Sequence, residues 1–477
     1  MNEEIKILET SNLEMNGQTK CPKCGATDIS QNSNNGKLRC NFCRFEFLAE
    51  VVLSINGDIR SLVGEEIGSG LKDIDDSFNG TLTIGCTSCG AEVVIDTNET
   101  TTARCHWCRN TLSVNEQLPN GAVPDAVLPF SVKSEEALST MKRFVKSRTF
   151  FANKQFIKEF ENENIMGVFF PYMTVDVNAK ASLVGKGEVL IRKYSVKVGK
   201  NSRSTRYDAD LYSVARKFDL TINDLTIEAN ANRLNKISTQ TNNIINSVMP
   251  FDIKNSVKWD ANYLKGFTSE KRDVNIENIR SKVTIQSKDI SRFRANETLK
   301  QYNRGVCWED EQLEVVGQRW HGVYLPVWLY SYQEVKSSGS VLHYIAVNGR
   351  NQEVMGSIPI NYPKLLMMSF FVEFFGGIAT ILTLNEETIL NFIFLTSGFL
   401  FYFYNYKRYS NRDERHKHEV DTEANIYDVD EEDNFIVRKK GLSNSRMTNA
   451  NNRSISGESS FDNLMNKYGF NMDDLID

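Results

Sequence analysis

The chain has 477 residues and a mass of 54.4 kDa, with 56 Lys plus Arg against 61 Asp plus Glu and a net charge of −5. Such a length allows about three domains, and 40% hydrophobic with 25% charged residues excludes a chain that is disordered throughout. A pI near 5.8 excludes a wholly basic surface of the kind that coats nucleic acid, and leaves local basic patches open. The opening MNEEIKILETSNLEMNGQTK holds no apolar run, so no cleaved signal peptide is expected and the nine cysteines are expected to stay reduced.

The cysteines come first in chain order. Cys21-Pro-Lys-Cys24 is followed after fifteen residues by Cys40-Asn-Phe-Cys43, and Cys86-Thr-Ser-Cys89 after fifteen more by Cys105-His-Trp-Cys108. Tetrahedral zinc takes four thiolates at about 2.3 Å, and a C-x-x-C turn presents two of them. A hairpin of the intervening residues brings the second turn opposite the first. The spacing predicts a zinc ribbon over 19–48 and another over 81–115, binding two structural Zn2+ with no open position for catalytic water. Iron or redox dithiol chemistry is the remaining alternative. Loops of this size bury too little to fold alone, so metal binding is expected to supply most of their folding energy, on the order of 10–16 kcal/mol. His106 is expected to face solvent, and Cys307 to be a buried lone thiol. Between the ribbons, 49–80 reads as an acidic, Gly-rich linker region with Glu65, Glu66, Asp73, Asp75 and Asp76.

Pro119, Pro124 and Pro129 mark the entry to a mixed domain over 131–363. SEEALSTMKRFVKSR places Ala137, Leu138, Met141, Phe144 and Val145 on one helical face, with Glu135 and Glu136 in the first turn. A shorter helix is expected over 153–163, then strands over 168–177, 181–198, 205–218, 322–335 and 342–347. Gly167-Val-Phe-Phe-Pro-Tyr-Met and Gly322-Val-Tyr-Leu-Pro-Val-Trp look like one element used twice, which suggests paired, duplicated sheets. Over 191–207, Arg192, Lys193, Lys197, Lys200, Arg203 and Arg206 occur without an acid, and 199–204 reads as a hairpin turn with a cationic tip. Three readings stand for that tip: an edge protected by charge, a contact with anionic lipid, or a contact with nucleic-acid phosphate.

Two apolar runs follow. Residues 365–384 carry one charge, Glu373, and 389–406 carry none. About 20 helical residues at about 1.5 Å each cross roughly 30 Å of hydrocarbon, so a two-helix transmembrane hairpin is expected over 364–406; the alternative is a pair of buried core helices. The turn 385–388 has no Lys or Arg, whereas Lys364 precedes the first run and Lys407, Arg408, Arg412, Arg415 and Lys417 follow the second. That asymmetry places both termini in the cytoplasm, the protein being a two-span cell-membrane protein. Antiparallel packing sets Gly376 and Gly377 opposite Ser397 and Gly398, with Glu373 about one turn from Ser397. Glu373 is expected to be neutralised by burial or paired with another protomer, packing being favoured over an ion or proton role. Residues 407–477, with an acidic run, a basic triplet and an Asn/Ser-rich stretch, read as a disordered cytoplasmic tail. The last nineteen residues read as an unstructured terminus or a short docking peptide.

The order of these features, with the segments LPFSVKSEEAL, GVFFPYM, MPFDIKNSVKWDANYLKGFTSEKRDV, YLPVWLYSYQ and HYIAVNGRNQEVMGSIPI, resembles a family of Gram-positive bacterial membrane proteins with transcription-factor-IIB-type zinc ribbons. The resemblance spans about residues 19–406 and implies zinc at the eight ribbon cysteines; the family carries no settled activity to transfer. Some relatives are labelled primosomal or helicase-like, but the chain holds no G-x-x-x-x-G-K-[ST] phosphate loop. Nor does it hold H-E-x-x-H, G-x-S-x-G or a dinucleotide fingerprint, so a non-enzyme is expected, with His321 and His343 as core histidines. The fold class expected is multidomain α+β: two small β ribbons, a mixed domain, a helical hairpin in the membrane lipid and a tail. Two functions fit it. One is a membrane-anchored adaptor that binds an unidentified cytoplasmic protein; the other is a membrane-tethered nucleic-acid binder using the ribbons and the 192–206 hairpin. The first ribbon has Lys20, Lys23, Lys37, Arg39 and Arg44 and the second only Arg104 and Arg109, and this uneven charge favours the adaptor.

Overall fold

The computed structural model describes residues 6–8, 21–26, 28–32, 37–48, 58–71, 81–85, 91–96, 102–107, 111–113, 117–118, 124–160, 165–197, 203–230, 248–264, 267–270, 272, 274–336, 339–382, 388–410 and 421–443. After β1 (Lys6–Leu8), the first ribbon is a three-stranded sheet of β2 (Ile29–Gln31), β3 (Leu38–Cys40) and β4 (Glu46–Phe47). Then come β5 (Gly64–Gly68), β6 (Thr81–Gly85), β7 (Glu92–Asp96), β8 (Thr102–Arg104), β9 (Thr111–Ser113), β10 (Gln117–Leu118) and β11 (Ala126–Val127). Helices α1 (Ser134–Lys146) and α2 (Lys154–Glu159) lead into the long strands β12 (Ile165–Lys197) and β13 (Arg203–Glu228). The second half repeats the scheme with β14 (Val257–Lys258), β15 (Thr268–Glu270), α3 (Ile276–Asn296), β16 (Val306–Lys336), β17 (Gly339–Asn348) and β18 (Val354–Gly356). Helices α4 (Tyr362–Leu382), α5 (Thr388–Leu395) and α6 (Ser397–Ser410) follow, and β19 (Ala424–Ser443) ends the described chain.

Fourteen of these strands form one sheet. Its centre is the antiparallel pairing of β12 with β16, and there the two repeated segments meet. Gly167 lies opposite Trp328, Phe169 opposite Pro326, Pro171 opposite Tyr324 and Met173 opposite Gly322, so the two copies pair head to tail about Phe170 and Leu325. Each then folds back as a hairpin that returns to the same place. Ala229 N donates to Pro171 O (3.1 Å) and Gly349 N to Pro326 O (2.9 Å). A second repeat escapes the sequence reading: Val127-Leu-Pro-Phe-Ser-Val-Lys133 and Val248-Met-Pro-Phe-Asp-Ile-Lys254 precede the two halves, and β11 pairs with β14. The sequence likeness therefore extends beyond the strands to the segments that enter them.

Helix α1 forms where its apolar period placed it, burying Ala137, Met141, Phe144 and Val145. Helix α3, not anticipated from the sequence, covers the other region of the sheet with Ile279, Val283 and Ile290, and carries the buried Arg292 toward Asp289 and Glu311. Polar residues interrupt its apolar stripe, which hides the period.

Two boundaries differ from expectation. The region 49–80 is more than a linker, because β5 joins the main sheet parallel to β16, from Gly317 opposite Gly64 to Trp320 opposite Ile67. Its glutamates serve as counter-ions: Glu66 binds Arg319 at 2.8 Å and Glu65 binds Arg280 at 2.6 Å. Read alone they suggest a solvated acidic loop, since their cations lie more than 200 residues away. The tail is likewise ordered over β19, which pairs antiparallel with β13 from Ile222–Ala424 to Arg206–Ser443. The acidic run that suggested disorder supplies Asp433 and Glu431 to Arg216, whose side chain is 0% exposed. An unpaired sheet edge and a buried guanidinium both need this strand.

Helix α4 is long and apolar enough over Tyr362–Ile381 to cross a membrane. The second apolar run is broken at Thr396 into α5 and α6.

Candidate metal centre and neighbouring surfaces

In the first ribbon, both C-x-x-C turns have the same backbone solution. Gly25 N donates to Cys21 O (2.8 Å) and Arg44 N to Cys40 O (2.9 Å), and both residues take positive φ, +73° and +60°. Glycine occupies the left-handed position without strain; arginine does so at a cost in the second turn. The hairpin β2–β3 then sets the turns face to face. Cys21 and Cys43 sulfurs lie 3.6 Å apart, as do those of Cys24 and Cys40, and all four Sγ atoms fall within 4.8 Å of one another. A tetrahedron with 2.3 Å metal–sulfur bonds has edges of about 3.8 Å, so the set fits a metal ion such as zinc. Cys43 N also points at Cys40 Sγ (3.4 Å). Cys21, Cys24, Cys40 and Cys43 would hold the ion, which would supply a structural cross-link.

The ribbon has two unlike faces. Ile29 and Leu38 are fully buried in the core that includes Phe130 and Tyr263, and Gln31 Nε2 donates to Phe130 O (3.3 Å). Outward, Phe42 is 80% exposed between two of the cysteines, with Phe45 and Leu48 exposed nearby and Lys23 Nζ 5.8 Å from the Phe45 ring centre.

Of the second cysteine set, Cys105 is described and buried; Cys86, Cys89 and Cys108 lie outside the described residues. The turn is nonetheless anchored. Contrary to expectation, His106 is 1% exposed, with Nε2 2.7 Å from Glu270 Oε1. Trp107 Nε1 donates to the same carboxylate, Asn230 Nδ2 to its other oxygen (3.1 Å), and Phe170 and Tyr344 pack on the two rings. A side chain between two cysteines of a C-x-x-C turn looks solvent-facing only while the domain beneath it is unknown. Strand β7 pairs with both β6 and β15, so β6 and β7 continue the main sheet.

The basic hairpin forms, but its charge is divided. Arg192 lies opposite Asp208 and, two rungs on, Tyr194 opposite Arg206, so both arginines share one face; Lys193 and Lys197 occupy the other. Arg192 Nε binds Asp208 at 2.8 Å, and that pairing holds the Asp208 carboxyl below the ordinary range. Lys200 lies outside the described residues, and Arg203 stands opposite Lys197. From Ile165, which shares a core with Leu365 and Tyr409 at the base of α4 and α6, strand β12 takes 33 residues to reach Lys197. At about 3.3 Å per residue that path is about 100 Å.

Glu373 has a definite partner. Its Oε2 accepts from Gly398 N (2.7 Å), the amide freed where the chain breaks between α5 and α6, and Ser397 Oγ donates to Val372 O (3.3 Å). A Cβ on Gly376 would meet Ser397, whereas Gly377 faces open space. The sequence foresaw the small-residue contact of Gly376 with Ser397 and not the helix break that gives the carboxylate its donor.

A recess of about 300 Å³ lies where a bulge at Val175–Val177 meets β19 and residues 58–60, lined by Asp176, Asp224, Asn223 and Lys254 among others. Burial raises the Asp176 carboxyl and, with the Asp176 charge beside it, lifts Asp224 to about 7. Asp224 itself holds φ of +51°.

Protein-family models, curated proteins and solved structures return no match to this chain.

Proposed function

We propose that the chain is a membrane-anchored scaffold, two zinc ribbons being fixed on a cytoplasmic sheet domain whose outer surfaces receive a protein partner. One observation carries this reading: ribbon 1 buries its inner residues in the domain and turns Phe42, 80% exposed, outward beside Phe45 and Leu48. An aromatic held rigid by a metal cross-link on a docked platform offers large contact area at low entropic cost. Helix α4, with the α5–α6 pair returning, anchors the platform, and both termini lie on the cytoplasmic side. The second four-cysteine set holds a second zinc, and no chemistry is catalysed.

The full chain in mild detergent tests this. Two zinc ions per chain are expected, and Cys24→Ser should lose one while leaving the His106–Glu270 contact of ribbon 2 folded. Phe42→Asp should keep both ions and lose a defined co-purifying protein. A metal content near zero in reduced, chelator-free protein would overturn the ribbon assignment, and an unchanged partner set would overturn the docking face.

Nucleic acid is the second reading, favoured by the exposed Phe42 and Phe45 on a ribbon whose Lys23 lies 5.8 Å from the Phe45 ring centre, since bases stack on exposed aromatics within basic grooves. It predicts affinity that falls with salt at about −0.7 per phosphate contact for single strands, and loss of binding in Phe42→Ala. The division of the 192–206 cations between two faces, with Arg192 paired to Asp208, weighs against a steep slope from that hairpin.

A further inference from the structure

We infer that the edge of the domain formed by residues 142–158 is a lipid-facing surface that lies on an anionic leaflet, its partner being phospholipid headgroups. This rests on the membrane anchoring proposed for α4 and adds which part of the domain meets the lipid.

The edge is bound to both helix ends. Asn361 N donates to Phe151 O (2.8 Å), Phe151 N to Tyr409 Oη (3.0 Å) and Ile358 N to Tyr409 O (3.0 Å). Arg408 Nη2 donates to Ser147 O (3.0 Å), and Lys364 Nζ to Phe150 O (2.6 Å) while lying 3.8 Å from the Phe150 ring centre. Phe151, Leu365 and Tyr409 are buried in this joint. Phe150 is thereby held level with the first turn of α4, just where Leu366, Met367 and Phe370 become exposed, and it is itself 57% exposed.

The exposed charge of this segment is of one sign up to Glu159, which ends α2; the carboxylate of Glu334, which meets Asn153, is buried. Residues 142–158 contain six cations and no carboxylate. Lys142, Arg143 and Lys146 are exposed at the end of α1, and Lys154 and Lys158 are exposed on α2 on either side of the exposed Ile157. Arg148 reaches back over the Phe144 ring and donates to Arg408 O (3.1 Å), tying this belt to Lys407 and Arg408 at the end of α6. Apolar residues that dip to the acyl boundary within a ring of Lys and Arg are the signature of a surface lying in the membrane interface. Each cation near an anionic leaflet adds about 1 kcal/mol. A nucleic acid on the same edge would have to approach a leaflet of its own charge. The 192–206 hairpin, by contrast, stands a strand path of about 100 Å from this level.

Amide exchange tests the inference, using the full chain in nanodiscs of phosphatidylcholine alone or with phosphatidylglycerol. The anionic discs should slow exchange across 142–158 by on the order of tenfold, and leave the first ribbon unchanged. A triple variant, Phe150→Ala with Lys154→Gln and Lys158→Gln, should exchange alike in both discs, since all three side chains are exposed and none fills the core. Equal exchange of the unmodified chain in the two discs would overturn the inference while leaving α4 in the bilayer. A chain that enters neither disc would overturn the anchoring reading together with this one.

Discussion

At the scale of single residues, buried charge is where this chain is most constrained. Asp224 stays protonated in the folded state up to about pH 7, against 3.8 for an ordinary aspartate, because burial and Asp176 oppose its ionisation. A carboxyl whose folded pKa is raised binds more protons folded than unfolded across that interval. The stability that Asp224 itself contributes should therefore fall as pH rises from about 3.8 to about 7, opposed by the buried His321, whose contribution rises between about 4 and 6.5. Asp224→Asn, which tolerates the positive φ, should flatten this fall when melting of the purified chain is followed against pH. An unchanged profile would show that Asp224 ionises freely. Arg216 is the opposite case. Its buried guanidinium is met by Asp433 at 2.6 Å, so Asp433→Ala should undock the strand by about 3 kcal/mol. That corresponds to cleavage within 421–443 faster by on the order of a hundredfold under limited proteolysis. Adding Arg216→Met should recover much of the loss, because replacing both partners of a buried pair is nearly neutral.

Among the elements, the break between α5 and α6 makes a specific demand on α4. A buried amide left unpaired is costly, and Glu373 supplies the acceptor for Gly398 N. Glu373→Gln retains an acceptor oxygen of similar reach, whereas Glu373→Leu leaves the amide unmet, a loss of about 1–3 kcal/mol. The thermal midpoint in detergent should thus fall for the leucine variant and hold for the glutamine one; equal midpoints would show that the bond contributes nothing. Elements were legible in the sequence in proportion to how local their cause is. Helix α1 announces itself through a clean apolar face. Strand β19 cannot, because an edge strand built of an acidic and a basic block is stable only against β13, some 200 residues earlier. Helix α3 is masked by the polar residues it buries to meet the sheet.

For the molecule as a whole, the two long hairpins make one continuous sheet that also takes in β6 and β7, while the first ribbon packs its own small sheet into the core it shares with the helix bases. Both α4 and α6 end on the same segment, Ser147–Asn153, through Asn361, Tyr409 and Arg408. Reporter fusions at residues 1 and 477 should therefore report the same, cytoplasmic, side of the membrane. A C-terminal reporter active only outside would show that the return through α5 and α6 does not cross.

The sequence by itself determined the four-thiolate set of Cys21, Cys24, Cys40 and Cys43, the apolar run of α4, the face of α1 and the likeness of GVFFPYM to GVYLPVW. Each of these is encoded within a short stretch: thiolate spacing, helical length, a 3.6-residue period, a repeated phrase. Tertiary structure alone decided that those repeats pair with each other, that His106 is buried on Glu270, that 64–68 and 424–443 are strands, and that the cations of 192–206 divide between two faces. All four depend on partners far along the chain or on the two-residue alternation of a strand whose register only its neighbours set.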